Sequence, residues 1–407
     1  MLTHRIRSSS RLQLVTVWLL WAALLIGFQF IVSIRFTPAY PDDVLPWVAR
    51  ITATYDPLPA GASPTERLAT NQAGWDSVYY LTIATEGYAA TTYGAVDLPD
   101  GETLSVNYAF YPFYPFSMAF LAAFVKVLAF TPWNAAVIAG VIVSLLGALG
   151  GALAIFDLAL ADGDEADASR AAFYLLIFPV AFFMAQVYTE GLFIGLAFGS
   201  LALARRRRFL WASVLAALAV LTRATGILLV IPLALYLLDD FREHPADGIL
   251  RGLYVLPPLA ALIIWWVAFG SEFSVVQAEF FGRGTLDLPA AWEQWQVAFR
   301  AIGAGENPQA VFYYLTEIAF VVAALAACAL TFRQYPYPAV FGLAVILIAV
   351  TSGPVQSFPR YMLAVPGLYL LLARWGRSPL FDRAWSLASE LLLAFYTMMF
   401  TLDYWVG

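Results

Sequence analysis

Charge is what this chain has least of. Only 12% of its 407 residues are charged, while 61% are hydrophobic. A soluble domain carries roughly 25% charged residues, so an ordinary water-soluble fold is excluded. Cysteine occurs once, as Cys328 inside an apolar run, which rules out an intramolecular disulfide and makes thiol redox chemistry improbable. Lysine also occurs once, as Lys126. The two histidines, His4 and His244, stand far apart near helix ends, so no His/Cys metal cluster exists, and no GxxxxGK[ST] phosphate loop is present. A formal net charge of −6 without a basic stripe gives nucleic-acid binding no support.

Long apolar runs dominate instead. Only helices or closed barrels satisfy the backbone in lipid, and no ten-residue alternation suggests a barrel. The fold expected is an all-α polytopic membrane protein with about 10–12 spanning helices. A run over 12–34 follows the arginine-rich start MLTHRIRSSSR. It is longer than the roughly 7–15 residues of a signal-peptide core, so it reads as a first membrane helix with a cytoplasmic N-terminus. Further runs lie near 110–129, 133–160, 171–204, 209–238, 249–269, 309–331, 337–352, 360–373 and 384–402.

Two runs have awkward lengths for spans of about 20 residues. The 171–204 run is broken by Gln186-Val-Tyr-Thr-Glu-Gly191, and the 209–238 run by Thr222-Arg-Ala-Thr-Gly226. Breaks of this kind are tolerated where they line a polar cavity. Arg205–Arg208 marks a cytoplasmic turn, as do Arg374, Arg377 and Arg383. Keeping the four arginines inside favours a single broken passage over 171–204. A hairpin of short helices over 209–238 turns Arg223 outward, with the 270–308 loop and the 352–360 turn on the same outer side. The whole chain reads as one membrane domain.

The acidity is local. Between residues 35 and 109 stand nine acids (Asp42, Asp43, Asp56, Glu66, Asp76, Glu86, Asp97, Asp100, Glu102) and three arginines (Arg35, Arg50, Arg67), so this segment alone carries the net −6. Positive-inside logic turns it outward.

Ionisable groups at membrane depth cost at least about 2.5 kcal/mol each and call for a reason. Glu190 is the only charged residue between Arg170 and Arg205, and Arg223 the only one between Arg208 and Asp239. Arg360 follows Phe358-Pro359. One reading is structural: ion pairs such as Glu190 with Arg223 that hold helices together. The other is a functional cavity, in which the planar forks of Arg223 and Arg360 bind the phosphate of a lipid-linked donor.

The stretch Trp75-Asp76-Ser-Val-Tyr79-Tyr-Leu-Thr-Ile-Ala-Thr-Glu-Gly87-Tyr88 reads as a short interfacial helix ended by Gly87. Spacing alone favours Asp76 as its N-cap. The alternative is a carboxylate facing the arginines and acting as general base toward an incoming hydroxyl. Downstream, Tyr108, Tyr111 and Tyr114 accompany Pro112 and Pro115 as the chain re-enters the membrane. Most such rings form an interface belt, though one or two are available to stack on a sugar.

These stretches resemble the PIG-V-type mannosyltransferases, a family of GT-C integral-membrane glycosyltransferases with prokaryotic members. The resemblance rests on Trp75-Asp76 through Tyr88 and on Ala109-Phe110-Tyr-Pro112-Phe-Tyr-Pro115. Val187-Tyr188-Thr-Glu190, Leu221-Thr-Arg223-Ala-Thr-Gly226 and Pro359-Arg360-Tyr361 follow in family order. Tyr111 stands where the family has Phe, Asn107-Tyr108 precedes the alanine, and residues 91–105 form an insertion. The resemblance implies a GT-C-type bundle and transfer with inversion from a polyprenyl-phosphate sugar, polyprenyl-phosphate mannose foremost. The site would be extracytoplasmic, in a prokaryotic plasma membrane. Asp76 matches the candidate base. Trp75, Tyr79, Tyr108, Tyr111, Tyr114, Tyr188, Glu190 and Tyr361 are candidate substrate contacts. Beyond the lipid-linked donor no cofactor is implied; the metal question and the oligomeric state are open, and the acceptor is a glycolipid, glycan or protein. A transporter or lipid flippase, and a non-catalytic subunit of a glycosyltransferase complex, are the rival readings.

Overall fold

A computed structural model describes residues 2–407 apart from 57, 58, 60, 100, 129 and 130, and omits the side chains of residues 2–9, 128 and 246–249. Asp100, His4 and the first two arginines of the N-terminal stretch therefore lie outside the described side chains.

Helix α1 (Leu2–Arg35) leads into the acidic segment, which holds α2 (Pro46–Thr52), α3 (Pro64–Asn71) and α4 (Ser77–Thr85). Next come a two-stranded antiparallel hairpin, β1 (Ala95–Asp97) and β2 (Thr103–Ser105), then α5 (Phe113–Val125) and α6 (Pro132–Leu160). The hairpin occupies the 91–105 insertion and is a small departure from the all-α expectation. Asp97 and Thr103 pair across a turn that contains Gly101 at φ 86°, a conformation glycine adopts without cost.

The bundle continues with α7 (Glu165–Leu176), α8 (Glu190–Arg205), α9 (Phe209–Val220), α10 (Val230–Glu243), α11 (Pro245–Gly252) and α12 (Leu256–Glu279). It closes with α13 (Leu288–Ala304), α14 (Pro308–Thr331), α15 (Pro336–Thr351), α16 (Phe358–Met362), α17 (Pro366–Trp375) and α18 (Pro379–Thr401). Five spans among the described residues are long and apolar enough to cross a membrane: 10–35, 132–160, 224–243, 250–279 and 308–331. The protein is an integral membrane protein. The expected outer loop over 270–308 is largely helical, because α12 runs on to Glu279 and α13 fills most of the remainder.

Ion pairs define the two ends of the bundle. Arg11 near the start of α1 and Arg206 just after α8 both reach Asp157 near the end of α6, at 2.8 and 2.9 Å. Arg205 meets Asp162 at 2.6 Å, and Arg377 pairs with Asp167. This is the basic end. Asp76, Arg223 and Arg360 lie at the other.

Two expectations about the path of the chain are corrected. The apolar run at 110–129 does not cross. Tyr114 donates its hydroxyl hydrogen to the Gly140 carbonyl, 3.1 Å away and two turns into α6, whereas Ala122 and Val125 pack on Ala135 and Ala139 nearer its start. Trp133, beside that start, rings with Tyr93 of the acidic segment at 5.7 Å. Helix α5 therefore climbs back beside the first half of α6. The 171–204 run, in turn, is a hairpin: α7 rises from the basic end, residues 177–189 turn, and α8 descends to Arg205. Because α5 does not cross, the hairpin keeps the four arginines level with Arg11. The shorter hairpin of α9 and α10 turns at Arg223 as expected, since Asp240 on α10 returns to Arg207 at 3.1 Å.

Glycine sets how deeply the centre packs. A Cβ on Gly191 would lie 2.2 Å from the Ser144 carbonyl oxygen, and one on Gly195 would lie 2.5 Å from that of Gly147. Small residues let helix backbones touch in membranes, and here they press the start of α8, which carries Glu190, against α6.

Candidate active site

Asp76 stands at the N-cap position of α4, yet its side chain accepts no capping hydrogen bond. The capping reading of the sequence is half right: the position holds and the bond is absent. Asp76 Oδ2 instead accepts from Arg360 Nη1 at 3.0 Å. Arg360 Nε lies 3.2 Å from Glu190 Oε1, close enough for an ion pair but not aligned as a hydrogen bond. Arg223 Nη1 donates to the same Glu190 oxygen and to Thr189 Oγ1 at 3.1 Å. Four charges distant in sequence thus form one chain: Asp76, Arg360, Glu190, Arg223. Of the sequence's two alternatives, the ion pair of Glu190 with Arg223 is present.

Local structure explains how each member is held. Trp75 has φ 54°, in the left-handed region that non-glycine residues seldom occupy. Tyr188 clamps that turn. Its hydroxyl donates to the Gly74 carbonyl at 3.1 Å and accepts from the Asp76 backbone N–H at 3.2 Å. Behind it, Gln29 Oε1 accepts from both Gln72 (2.8 Å) and Gln186 (3.0 Å), and the Val187 N–H donates to the Gln72 carbonyl at 3.0 Å. These bonds between buried amides tie α1, the end of α3 and the turn before α8 into one frame, although the Gln72 and Gln186 side-chain oxygens are left without a partner. Gly87 closes α4 as expected, with φ 97° and its N–H on the Ile83 carbonyl at 3.2 Å. Glu190 is the first residue of α8, where the helix dipole favours an anion.

Arg360 lies in the five-residue α16, whose start is held by a residue that the sequence reading passed over. Glu317 on α14 is buried. Its carboxylate accepts from the Ser357 N–H at 3.0 Å and the Phe358 N–H at 2.7 Å. Ser357 has φ 67°, another left-handed residue. Glu317 is the only charge within α14, so the rule that singled out Glu190 applies to it equally.

Tyr361 forms the floor between the guanidiniums. The Arg223, Arg283 and Arg360 carbons lie 5.4, 5.6 and 5.9 Å from its ring centre, a range in which cations are attracted to aromatic faces. Arg283 is a second residue that the sequence reading passed over. Arg360 also lies 5.2 Å from the Tyr188 ring. Beside the charges lies a small crevice of about 10 Å³, room for about one water molecule. Glu190, Arg223, Arg360 and Tyr361 line its polar part, and Phe193, Ile194, Val345 and Leu363 its apolar part.

The remaining candidates separate. Tyr79 stacks on Phe110 at 4.9 Å. Tyr108 packs on Tyr88 and Phe269, and Tyr111 on Trp265 and Phe273. Tyr114 is sealed in the core, its hydroxyl on Gly140 and 2.9 Å from Ser144 Oγ. These three rings serve packing between the acidic segment and α6 or α12, and the structure does not bring them to the charged chain. Trp75 belongs to an aromatic cluster with Trp47, Tyr55 and Trp405.

The architecture is that of a polytopic helical membrane protein in which one charged chain, Asp76–Arg360–Glu190–Arg223, lies at the end opposite the basic one. Residues 57–243 match the family model described as Mannosyltransferase (PIG-V). The match takes in Asp76, Glu190 and Arg223, covers somewhat less than half of the chain, and stops short of Arg360. It bears out the resemblance read from the sequence, and glycosyl transfer is the chemistry of the family matched. No curated protein sequence matches the chain. Among solved structures, it is similar to the archaeal oligosaccharyltransferase AglB from Archaeoglobus fulgidus, in complex with an inhibitory peptide and a dolichol-phosphate. That similarity has 15% identity and a TM-score of 0.44, and covers 95% of this chain and 56% of AglB. It is also similar to ArnT from Cupriavidus metallidurans, bound to undecaprenyl phosphate, with 12% identity and a TM-score of 0.46, covering 95% of this chain and 76% of ArnT. The chain thus spans about half the length of the oligosaccharyltransferase.

Proposed function

We propose that this protein is an inverting mannosyltransferase. It moves a hexose from a polyprenyl-phosphate sugar to a hydroxyl of a glycolipid, glycan or protein, and its site end faces the extracytoplasmic side. The family match supports the reaction class. The basic end, with Arg205–Arg208, supports the orientation by the positive-inside tendency. The observation that carries the reading is the Asp76–Arg360–Glu190–Arg223 chain at the head of a part-apolar crevice.

The chemistry follows from that arrangement. The acceptor oxygen attacks the anomeric carbon as the bond from that carbon to the phosphate oxygen breaks. The phosphate leaves with the bonding electron pair, and Asp76 takes the acceptor's proton. A guanidinium has five N–H donors. Arg360 can therefore orient Asp76 and still, with Arg223, meet the charge that develops on the departing phosphate. Arg283 adds a third cation on the Tyr361 floor.

The test is transfer of labelled mannose from polyprenyl-phosphate mannose by purified protein in lipid nanodiscs, offered membrane glycolipid and glycoprotein extracts. Wild type should transfer, and Asp76→Asn should express and fold without transferring. Full activity in that variant would remove Asp76 from the mechanism.

A further inference from the structure

A larger cavity lies at the basic end, opposite Asp76. Its volume of about 300 Å³ is at the lower end of the size of ligand pockets, and the end of α8, the last turns of α10 and the start of α15 bound it. The α10 wall follows from its sequence. Tyr236, Asp239 and Glu243 are spaced three and four residues apart, so they share one helix face, and that face lines the cavity. With Asp240 they put three carboxylates in the final turns of a helix, where the macrodipole disfavours anions. Arg207, at φ 57°, folds back from the turn after α8 to reach Asp240 at 3.1 Å and to pair with Glu243. Arg251 takes the other Asp240 oxygen at 2.7 Å. Asp239 accepts from the Tyr337 hydroxyl and from Arg242 at 3.2 Å. Arg205 pairs with Asp162 through one nitrogen, at 2.6 Å, and also lines the cavity.

Both signs of charge therefore line one space: two guanidiniums from the turn after α8 and three carboxylates from α10. A lone phosphate would meet an excess of carboxylates, and a lone alkylammonium would meet the guanidiniums. Among the described residues no group of three acids or histidines converges closely enough to hold a metal ion. A ligand carrying an ammonium and a phosphate a few bonds apart answers both walls. Tyr236 and Tyr337, edge to face at 4.3 Å, add rings of the kind that attract an ammonium. Leu238 and Phe241, on the same turns of α10, are exposed, so the cavity lies at the border of the lipid. We propose that it binds the headgroup of a zwitterionic phospholipid of the phosphatidylethanolamine kind. The primary ammonium donates to Asp239 and Glu243 and offsets the anions at the α10 C-terminus. The phosphodiester accepts from Arg205, whose guanidinium has donors beyond the one on Asp162. The site is separate from the Asp76–Arg360–Glu190–Arg223 chain and does not rest on the transferase reading.

The test needs no turnover. The full chain, freed of lipid in detergent, is titrated with dihexanoyl phosphatidylethanolamine while its unfolding temperature is followed, since a ligand of the folded state raises it. Native mass spectrometry counts the lipids retained. A saturable rise with a single retained lipid is expected. Dihexanoyl phosphatidylglycerol and the N-acetylated phosphatidylethanolamine, which lack the ammonium, and hexylamine, which lacks the phosphate, should each need at least tenfold more. Asp239→Asn and Arg205→Gln should each raise half-saturation at least fivefold, and Asp97→Asn, on the exposed hairpin, should titrate like wild type. Glycerophosphoethanolamine, the same zwitterion without acyl chains, should also need at least tenfold more; half-saturation equal to that of the lipid would assign the cavity to a soluble zwitterion and overturn the lipid. No phosphatidylethanolamine retained by wild type, or equal half-saturation for lipids with and without the ammonium, would overturn the proposal whether or not the variants fold. Folded variants that titrate like wild type would do the same.

Discussion

Arg360 Nη1 sits 3.0 Å from Asp76 Oδ2, joining residues 284 positions apart in the sequence. Neither is tied to its own helix by this bond. It is a tertiary contact between the first loop and α16, and it holds the proposed base in place.

Arg360→Gln should therefore fail in two ways. Transfer should fall by about a hundredfold or more, as for loss of an electrostatic group aimed at developing charge. Stability should fall by about 3–5 kcal/mol, because Asp76 and Glu190 each lose a buried partner. Parallel kinetics and thermal unfolding in the same detergent check both. Unchanged kcat/KM with lowered stability would reduce the bond to a structural one.

Glu317 acts on the site through Arg360. Glu317→Gln removes one of the two acceptors at α16 and sets an amide against a backbone N–H. We expect at least a tenfold loss of kcat and faster hydrogen exchange over 355–362. The double variant with Arg360→Gln should be no slower than Arg360→Gln alone, since neighbours acting as one unit are not additive. Multiplying losses would separate Glu317 from Arg360.

Tyr188→Phe keeps the ring beneath Arg360 and deletes the hydroxyl that joins Gly74 to Asp76. The Trp75 turn should relax, lowering kcat about tenfold, with a stability loss of about 1–3 kcal/mol for the buried groups left unpaired. A variant with wild-type turnover would show that the turn needs no clamp.

Asp403 gives stability a pH dependence of known sign. Burial pushes its folded pKa up to about 7, above the ordinary aspartate value of 3.8. The folded state thus binds the proton more tightly, and the stability this gives is full below about pH 4 and lost as pH rises through 7. The neighbouring Tyr40 and Tyr55 do not titrate in that window, burial pushing both upward. Asp42, which accepts from the Trp405 N–H at 2.8 Å, is also shifted upward by burial and adds in the same direction. Unfolding temperatures between pH 4.5 and 8 should fall less steeply in Asp403→Asn than in wild type. Parallel curves would show that Asp403 is solvated.

Several of these features could be read from residues alone, and the reason differs in each case. Glu190 and Arg223 announced themselves as lone charges in apolar runs, and Gly87 as a residue suited to end a helix. The turn at Arg223 was legible because it interrupts a run of the wrong length. The run at 110–129 reads alike whether it crosses a bilayer or leans on α6; the contacts of Tyr114 with Gly140 and of Ala122 and Val125 with Ala135 and Ala139 decide it. Glu317 carried the same signal as Glu190, but nothing near it in sequence shows what it holds forty residues on. Asp403 sits among mostly apolar end residues, and nothing near it in sequence shows that the fold sets it beside Gly74.

The path of α5 has a mechanical consequence. Phe116, Phe120 and Phe124 recur every fourth residue along one exposed face of that helix, and in a bilayer such a row of phenyl groups sinks among the acyl chains. The acidic segment is thus moored at both margins, by α1 on one side and by this keel on the other. In the proposed reaction, this mooring would hold Asp76 at one height, level with the headgroup of a donor lying in the same leaflet.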